Sequence, residues 1–332
     1  METIEKMNGP TTEVIVTMSE ALQILANHAP KVLVLEVISD YYQEPALRQH
    51  RSTQPVPGFA QIKTERFETG PLWNLRSDAH LQQVLTEFSL VPETTKHIVL
   101  FDNIQLACGR AQSRFDASAR LFSILYYFGF SHISIVLDPD IRPSFPDEFA
   151  TQYPEVIRRL LAHPLPSAVS LSRKDAPDRD RWIPKHGDHF ISYETMMQML
   201  AGKLGTYRLL DARSAEEHAG LFTGYDYVPL AGKIPTAESV VNGDYQVSAK
   251  VSLATVLTRL ATTLARNGIG YGDRIVWYCG TGWRASRMCA LTQALGYTNV
   301  GIYDGGWNEW QERHPEDGSA KPWGIEASDS LD

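Results

Sequence analysis

One plan runs through this chain twice, and it constrains the fold more than any other feature. Apolar segments of strand length alternate with longer segments that read as helices. In the first half, residues 31–38 (KVLVLEVI), 97–101 and 132–137 read as strands, with helices over 20–27, 79–88 and 118–128. The second half repeats the order, with strands at 207–210, 274–278 and 299–303 and helices at 193–200, 253–267 and 285–295. Strands that are apolar almost throughout are covered on both faces, so each half predicts a mostly parallel sheet with helices on either side.

The spacing of landmarks argues for duplication. Leu35-Glu36 matches Leu210-Asp211 at an offset of 175, and Phe101-Asp102 matches Tyr278-Cys279 at 177. Gly129-Phe130-Ser131-His132-Ile133 matches Gly296-Tyr297-Thr298-Asn299-Val300 at 167. The fall in offset, 177 − 167 = 10, places an insertion in the first half near residues 103–112. Residues 50–76 and 220–243 read as irregular connections, and residues 163–184, with four prolines and many charges, as an extended connector. The expected division is a first domain at 12–150, a linker at 151–190, a second domain at 191–315 and a polar tail at 316–332.

Charge and cysteine usage exclude several functions. Lys plus Arg number 31 against 39 Asp plus Glu, giving a net charge of −8. That balance disfavours a general nucleic-acid binder, yet allows one local pocket for a small anion. Cys108, Cys279 and Cys289 are too few and too scattered for a disulfide scaffold or a zinc cluster, so no metal or other cofactor is expected. Neither a secretory leader nor an apolar run of roughly 20 residues is visible, so a cytoplasmic protein without membrane partners is the expectation. A reducing interior lets a free thiol persist as a reagent.

The chemistry concentrates at residues 274–288, RIVWYCGTGWRASRM. A strand delivers Cys279 to its C-terminal end, where parallel sheets place ligands. Gly280 and Gly282 permit a sharply curved loop, and a helix follows. Such a loop can aim backbone N–H groups at sulfur, and with Arg284 nearby it favours thiolate over thiol. A persulfide on Cys279 would be solvated in the same way, which is the logic of a sulfur-transfer site. Cys289, one turn beyond Ala285, reads as core, and Cys108 as structural or incidental, with a relay role as the minority reading. Trp283 suits either an apolar wall over the loop or packing against the other domain.

These segments resemble tandem-domain sulfurtransferases of the rhodanese family. The resemblance rests on Leu210-Asp211-Ala212-Arg213 with Glu216 and Glu217, and on Gly232-Lys233-Ile234-Pro235. It rests equally on the loop Tyr278-Cys279-Gly280-Thr281-Gly282-Trp283-Arg284-Ala285-Ser286, and on Tyr303-Asp304-Gly305-Gly306-Trp307-Asn308-Glu309-Trp310. It is specific over residues 193–312 and fainter over 15–142. It implies two tandem α/β domains, the second active and the first inactive, with the site near their interface. Asp102 stands where Cys279 stands in the repeat, and cannot carry persulfide sulfur. The resemblance implies Cys279 as the catalytic nucleophile and Gly280, Thr281, Gly282, Trp283 and Arg284 as its loop. Asp211 would organise neighbouring loops. Arg284 would bind an anionic donor, since arginine's fork suits oxyanions, and Arg213 would either help hold that donor or salt-bridge internally. Trp307 and Trp310 would pack a C-terminal turn.

The expected reaction moves sulfane sulfur from thiosulfate or a related small donor, through a Cys279 persulfide, to cyanide, a thiol or a protein acceptor. Departures from the family pattern leave the donor open. Thr281 stands where thiosulfate enzymes often carry a basic residue, and Glu217 where mercaptopyruvate enzymes carry a second arginine. One alternative is a non-enzymatic persulfide carrier or regulatory binding module. Another is a cysteine phosphatase or arsenate reductase, disfavoured because only four residues separate Cys279 from Arg284 where such loops use five.

Overall fold

A computed structural model of the chain describes residues 14–28, 32–38, 58–88, 90–92, 97–102, 115–137, 151, 154–162, 183–240, 245 and 251–320. In the first half, strands β1 (Ile15–Val16), β2 (Val32–Ile38), β3 (Ala60–Lys63), β6 (His97–Asp102) and β7 (Ile133–Val136) form one sheet in the order β1-β7-β6-β2-β3. Every pairing in it is parallel. Two short strands, β4 (Glu68–Thr69) and β5 (Asn74–Leu75), pair antiparallel beside it. Helices α1 (Met18–His28), α2 (Asp78–Glu87), α3 (Asp116–Tyr127) and α4 (Pro154–Ala162) complete this half.

The second half holds β8 (Phe190–Ile191), β9 (Arg208–Asp211), β11 (Glu238–Ser239), β12 (Ile275–Tyr278) and β13 (Val300–Tyr303) in the order β11-β9-β12-β13-β8, again all parallel. Read from the other edge, this is the first sheet's order. The register repeats as well: Glu36 lies opposite Phe101 as Asp211 lies opposite Tyr278. The second half's helices are α5 (Tyr193–Leu200), α6 (Ala215–His218), α7 (Leu253–Arg266), α8 (Trp283–Ala294) and α9 (Gly306–Arg313). Serine side chains cap α5, α6 and α7 at Ser192, Ser214 and Ser252, supplying an acceptor to amides that have none within the helix.

Several stretches differ from the sequence expectation. The connection at 50–76 contributes β3 at a sheet edge as well as the β4–β5 pair, and the one at 220–243 contributes β10 (Leu230–Gly232) and β11. Short, half-buried strands carry too few alternating residues to signal themselves. Residues of the expected tail form β14 (Gly318–Ala320), antiparallel to β10. Within the stretch assigned to the linker, α4 packs on α1, and its Ile157 joins a core with Ile24 and Leu25. Residues 163–182, the insertion near 103–112 and Cys108 lie outside the described residues.

Helices α3 and α8 pack against each other and join the halves. One apolar core runs through them from Leu35, Leu100 and Leu125 to Trp277, Leu291 and Ile302. Residues 116–125 of α3 are buried without interruption, as are 285–292 of α8. A helix enclosed on all sides loses the polar face that a surface helix shows. Its polar residues therefore need partners from the opposite domain: Arg287 Nη1 of α8 lies 3.2 Å from Asp116 Oδ1 of α3.

Candidate active site

Strand β12 is buried throughout and ends at Tyr278, immediately before Cys279, which is itself fully enclosed. The loop is short because Gly282 takes a left-handed conformation (φ +83°), so the chain enters α8 at Trp283. The sequence placed this helix start at residue 285; the glycine turn brings it two residues earlier, and Trp283 and Arg284 become its first turn. The loop carbonyls are held from behind. Trp307 N–H donates to the Cys279 carbonyl (2.7 Å) and Asn308 N–H to the Gly280 carbonyl (2.9 Å). At Gly306, φ is +56° and an added Cβ would strike these same carbonyls, so α9 can start here only with glycine.

Two tyrosines that the sequence reading missed stand at the loop. The Tyr225 ring lies against Gly280, so closely that a Cβ there would overlap it. Its hydroxyl accepts hydrogen bonds from Gly280 N–H (3.0 Å) and from Arg284 Nε (3.1 Å) and Nη2 (2.6 Å). One amide expected to face sulfur is therefore given to a phenol. Tyr227 Oη reaches 3.5 Å from Thr281 Oγ1, and its ring packs on Tyr225 with centroids 5.3 Å apart. Both phenols interact electrostatically with Cys279. Burial pushes the Tyr225 phenol well above its ordinary range, against the pull of Arg284, and raises Tyr227 to about 12; both are neutral near pH 7. Gly-Tyr-Asp-Tyr at 224–227 was the available signal, set in a connection too irregular to align with the loop.

Arg284, expected to bind an anionic donor, is paired within the chain. Its Nη1 and Nη2 donate to the Glu217 carboxylate at 2.8 and 2.6 Å, and its guanidinium lies 4.9 Å from the Tyr225 ring centroid. Glu217 is fixed in turn, because it closes a capping box with Ser214 at the start of α6. Burial alone would raise the Glu217 carboxyl, yet Arg284 holds it below the usual range. The guanidinium keeps 19% of its side chain exposed, so it stands at the mouth with its charge matched.

Arg213 shows the internal salt bridge that was one of its two expected roles. It is fully buried, forked onto Asp211 (Nε to Oδ1 3.0 Å, Nη2 to Oδ2 2.8 Å) and bonded through Nη2 to the Gly232 carbonyl. It is sandwiched between Tyr278 and Trp307, 5.4 Å from each ring centroid. Its Nη1 is enclosed without a hydrogen-bond partner among the described residues. Asp211 is the organiser the sequence suggested: it also accepts from Tyr278 Oη (2.7 Å), Arg213 N–H and the His218 ring (3.0 Å). Burial opposes its charge, but Arg213, His218 and Tyr278 hold its carboxyl well below the ordinary carboxylate range. Beneath it, Trp307 Nε1 donates to the Leu230 carbonyl and Trp310 Nε1 to Asp317, which packs α9 as expected. Cys289 is core, its thiol pushed upward by burial alone.

Trp283 is no lid. It is 8% exposed, and its indole N–H donates to Glu68 of the first domain at 2.9 and 3.0 Å. At the place matching Cys279, Asp102 is buried and accepts the Ser118 N–H in the first turn of α3 at 3.0 Å. Among the described residues, no group of His, Cys, Asp and Glu is arranged to hold a metal ion, and no helix is long and apolar enough to cross a membrane.

Comparison with known proteins agrees with this architecture. Residues 192–313 match the family described as rhodanese-like domain. Thiosulfate sulfurtransferase YnjE of Escherichia coli is 28% identical over 266 residues, covering 77% of this chain and 53% of that protein. Putative thiosulfate sulfurtransferase SseA of Mycobacterium leprae is 35% identical over 114 residues, 32% of this chain and 37% of that protein. The sulfur carrier protein TtuD of Thermus thermophilus is 30% identical over 149 residues, 42% of this chain and 48% of that one. The chain thus spans about half, or less, of the length of these curated relatives. The crystal structure of YnjE superposes with a TM-score of 0.64 at 22% identity, covering 95% of this chain and 70% of that one. The anaerobic ergothioneine biosynthesis enzyme of Chlorobium limicola superposes with a TM-score of 0.63 at 19% identity, covering 95% and 72%. Residues 192–313 thus match a rhodanese-like domain, in a chain whose two halves repeat one parallel α/β fold.

Proposed function

We propose that this protein is a sulfurtransferase whose covalent carrier is Cys279. The Cys279 thiolate attacks the outer sulfur of a sulfane donor such as thiosulfate; the S–S bond to the sulfonate sulfur breaks, and sulfite leaves with the bonding pair. Cys279 then carries a persulfide, whose terminal sulfur passes to cyanide or a thiolate as the Cys279 thiolate is regenerated. The observation that carries this reading is the position of Cys279, just after a buried strand end and ahead of the left-handed Gly282 turn that opens α8.

The phenols covering Cys279 set the entry step. A donor has to displace Tyr225 from Gly280 N–H and Arg284, and its anionic oxygens then inherit those donors. Arg284 therefore acts at the mouth after exchange of partners, and Arg213 acts behind the site by fixing Asp211. Thiocyanate formation from thiosulfate and cyanide tests the proposal. Wild-type protein is expected to turn over and Cys279→Ser to be inactive, whereas full turnover by Cys279→Ser overturns it. Sulfur that loads onto Cys279 but leaves only to one protein acceptor would mark a carrier, a reading favoured by the complete enclosure of the thiol.

A further inference from the structure

A buried cluster of charges crosses the domain interface directly behind the cysteine loop. Arg120 of α3 is fully enclosed; its Nε donates to Glu68 Oε1 (2.7 Å) and its Nη2 to Asp304 Oδ1 (2.5 Å). Glu68 belongs to β4 of the first domain, while Asp304 follows β13 of the second. The cluster is sewn to both sides. Trp283 Nε1 donates to both Glu68 oxygens, Leu75 N–H of β5 donates to Asp304 Oδ2 (2.8 Å), and Asn308 reaches the Pro71 carbonyl (3.3 Å). Burying these charges is costly unless geometry and partners are nearly complete, and stability alone is a weak reason to keep them.

The geometry points to a reason. Arg120 Nη1 is buried without a hydrogen-bond partner among the described residues, and what it faces is Gly282. A Cβ on Gly282 would lie 2.7 Å from Nη1 and 3.1 Å from the Asp304 carbonyl. The left-handed turn that shortens the loop is thus backed by a guanidinium of the other domain. The Trp283 hydrogen bond fixes the residue immediately after that turn. We propose that Arg120 and Glu68 of the first domain are positioning residues for the Cys279 loop. Through Gly282 and Trp283 they hold the loop in its sulfur-accepting shape, so the first domain is a working part of the site although it carries no nucleophile.

This proposal rests on the sulfurtransferase reading for its activity readout, so the test uses two measurements on the full chain. One is the rate of sulfur loading from thiosulfate, followed by intact mass. The other is the rate of Cys279 alkylation by iodoacetamide, mapped by peptide mass with Cys289 as the internal comparison. Arg120→Lys keeps the charge and loses the fork; its saturating loading rate is expected to fall about tenfold, with the half-saturating thiosulfate concentration changed less than about twofold. Cys279 alkylation should shift at least about threefold while Cys289 is unchanged. Should Arg120→Lys fail to fold, Trp283→Phe and Glu68→Gln take its place, each expected to lower loading about fivefold at pH 8. Acting through one hydrogen bond, they should give a double variant no worse than the poorer single. Folded Arg120→Lys with wild-type loading and alkylation, or strictly additive Trp283 and Glu68 variants, overturns the proposal. Wild-type protein that takes up no sulfur would instead refute the enzymatic reading, and the alkylation rates would still decide the positioning role.

Discussion

The first domain places Asp102 at the end of β6, and the second places Cys279 just beyond the end of β12. Both positions precede the helix that packs the domains together, α3 in one and α8 in the other. At Asp102 a carboxylate accepts the Ser118 amide, so the donors at that helix start hold an anion belonging to the chain. At Cys279 the side chain is a thiol, and the neighbouring amide of Gly280 is held by the Tyr225 phenol, which in the proposed reaction gives way to the donor. The comparison teaches that one scaffold becomes structural when its anion site is filled by a fixed carboxylate. In the proposed reaction, the other end is open to chemistry because its occupant exchanges with the donor.

The comparison is broken most severely by making the second strand end resemble the first. Cys279→Asp is expected to abolish thiocyanate production, by more than about a thousandfold, while the melting temperature stays within a few degrees of wild type. Surviving turnover would mean that sulfur travels by another route. Next in size is Arg284→Ala, which leaves Glu217 nearly enclosed without its cation. Loading from thiosulfate should fall about tenfold or more and the protein should lose about 2–3 kcal/mol in urea titration, less than for a wholly buried pair. Unchanged loading would remove Arg284 from the entry step.

Asp102→Ala tests the structural side. It should cost about 1–2 kcal/mol by orphaning the Ser118 amide and leave the intrinsic loading step within about twofold. A large loss of loading with little loss of stability would erase the distinction between the two strand ends. Tyr225→Phe removes the hydroxyl that occupies Gly280 N–H and Arg284, so loading should quicken a few-fold at limiting thiosulfate, as a stopped-flow trace would report. Slower loading would show that the phenol helps the donor rather than standing in its place.

The smallest effect concerns pH. Burial pushes the Glu68 carboxyl up to about 7, against the pull of Arg120. The folded chain therefore binds a proton at Glu68 that the unfolded chain, with an ordinary carboxyl near 4.5, releases. This contribution to stability is fully present below about pH 4.5 and is lost as pH rises through about 7. Glu68→Gln should flatten the melting temperature between pH 5 and 8 and gain on wild type at the alkaline end. An unaltered pH slope would contradict that assignment.

The doubled α/β plan was legible because long apolar segments with fixed landmarks leave few alternatives, and both five-stranded sheets are parallel as expected. The nucleophile candidate was legible for a local reason: strand, thiol, two glycines and helix are contiguous. The partners of its arginines were not. Arg213 sits two residues from the carboxylate that claims it, and a sequence shows the pair without showing that both are enclosed. Arg120 finds Glu68 52 residues away within the first domain and Asp304 184 residues away in the second, the latter a relation that the docking of α3 on α8 creates. The helix start at 283 escaped notice because Gly282 was read as loop, while its left-handed turn closes the loop at once.

Intact-mass analysis of the full chain after exposure to thiosulfate, with peptide mapping, tests the central idea most directly. The account predicts a gain of about 32 Da, one sulfur atom, confined to the peptide bearing Cys279 and stripped by cyanide. A folded protein that gains no mass from thiosulfate or polysulfide, or that gains it at Cys108 or Cys289 instead, would contradict it.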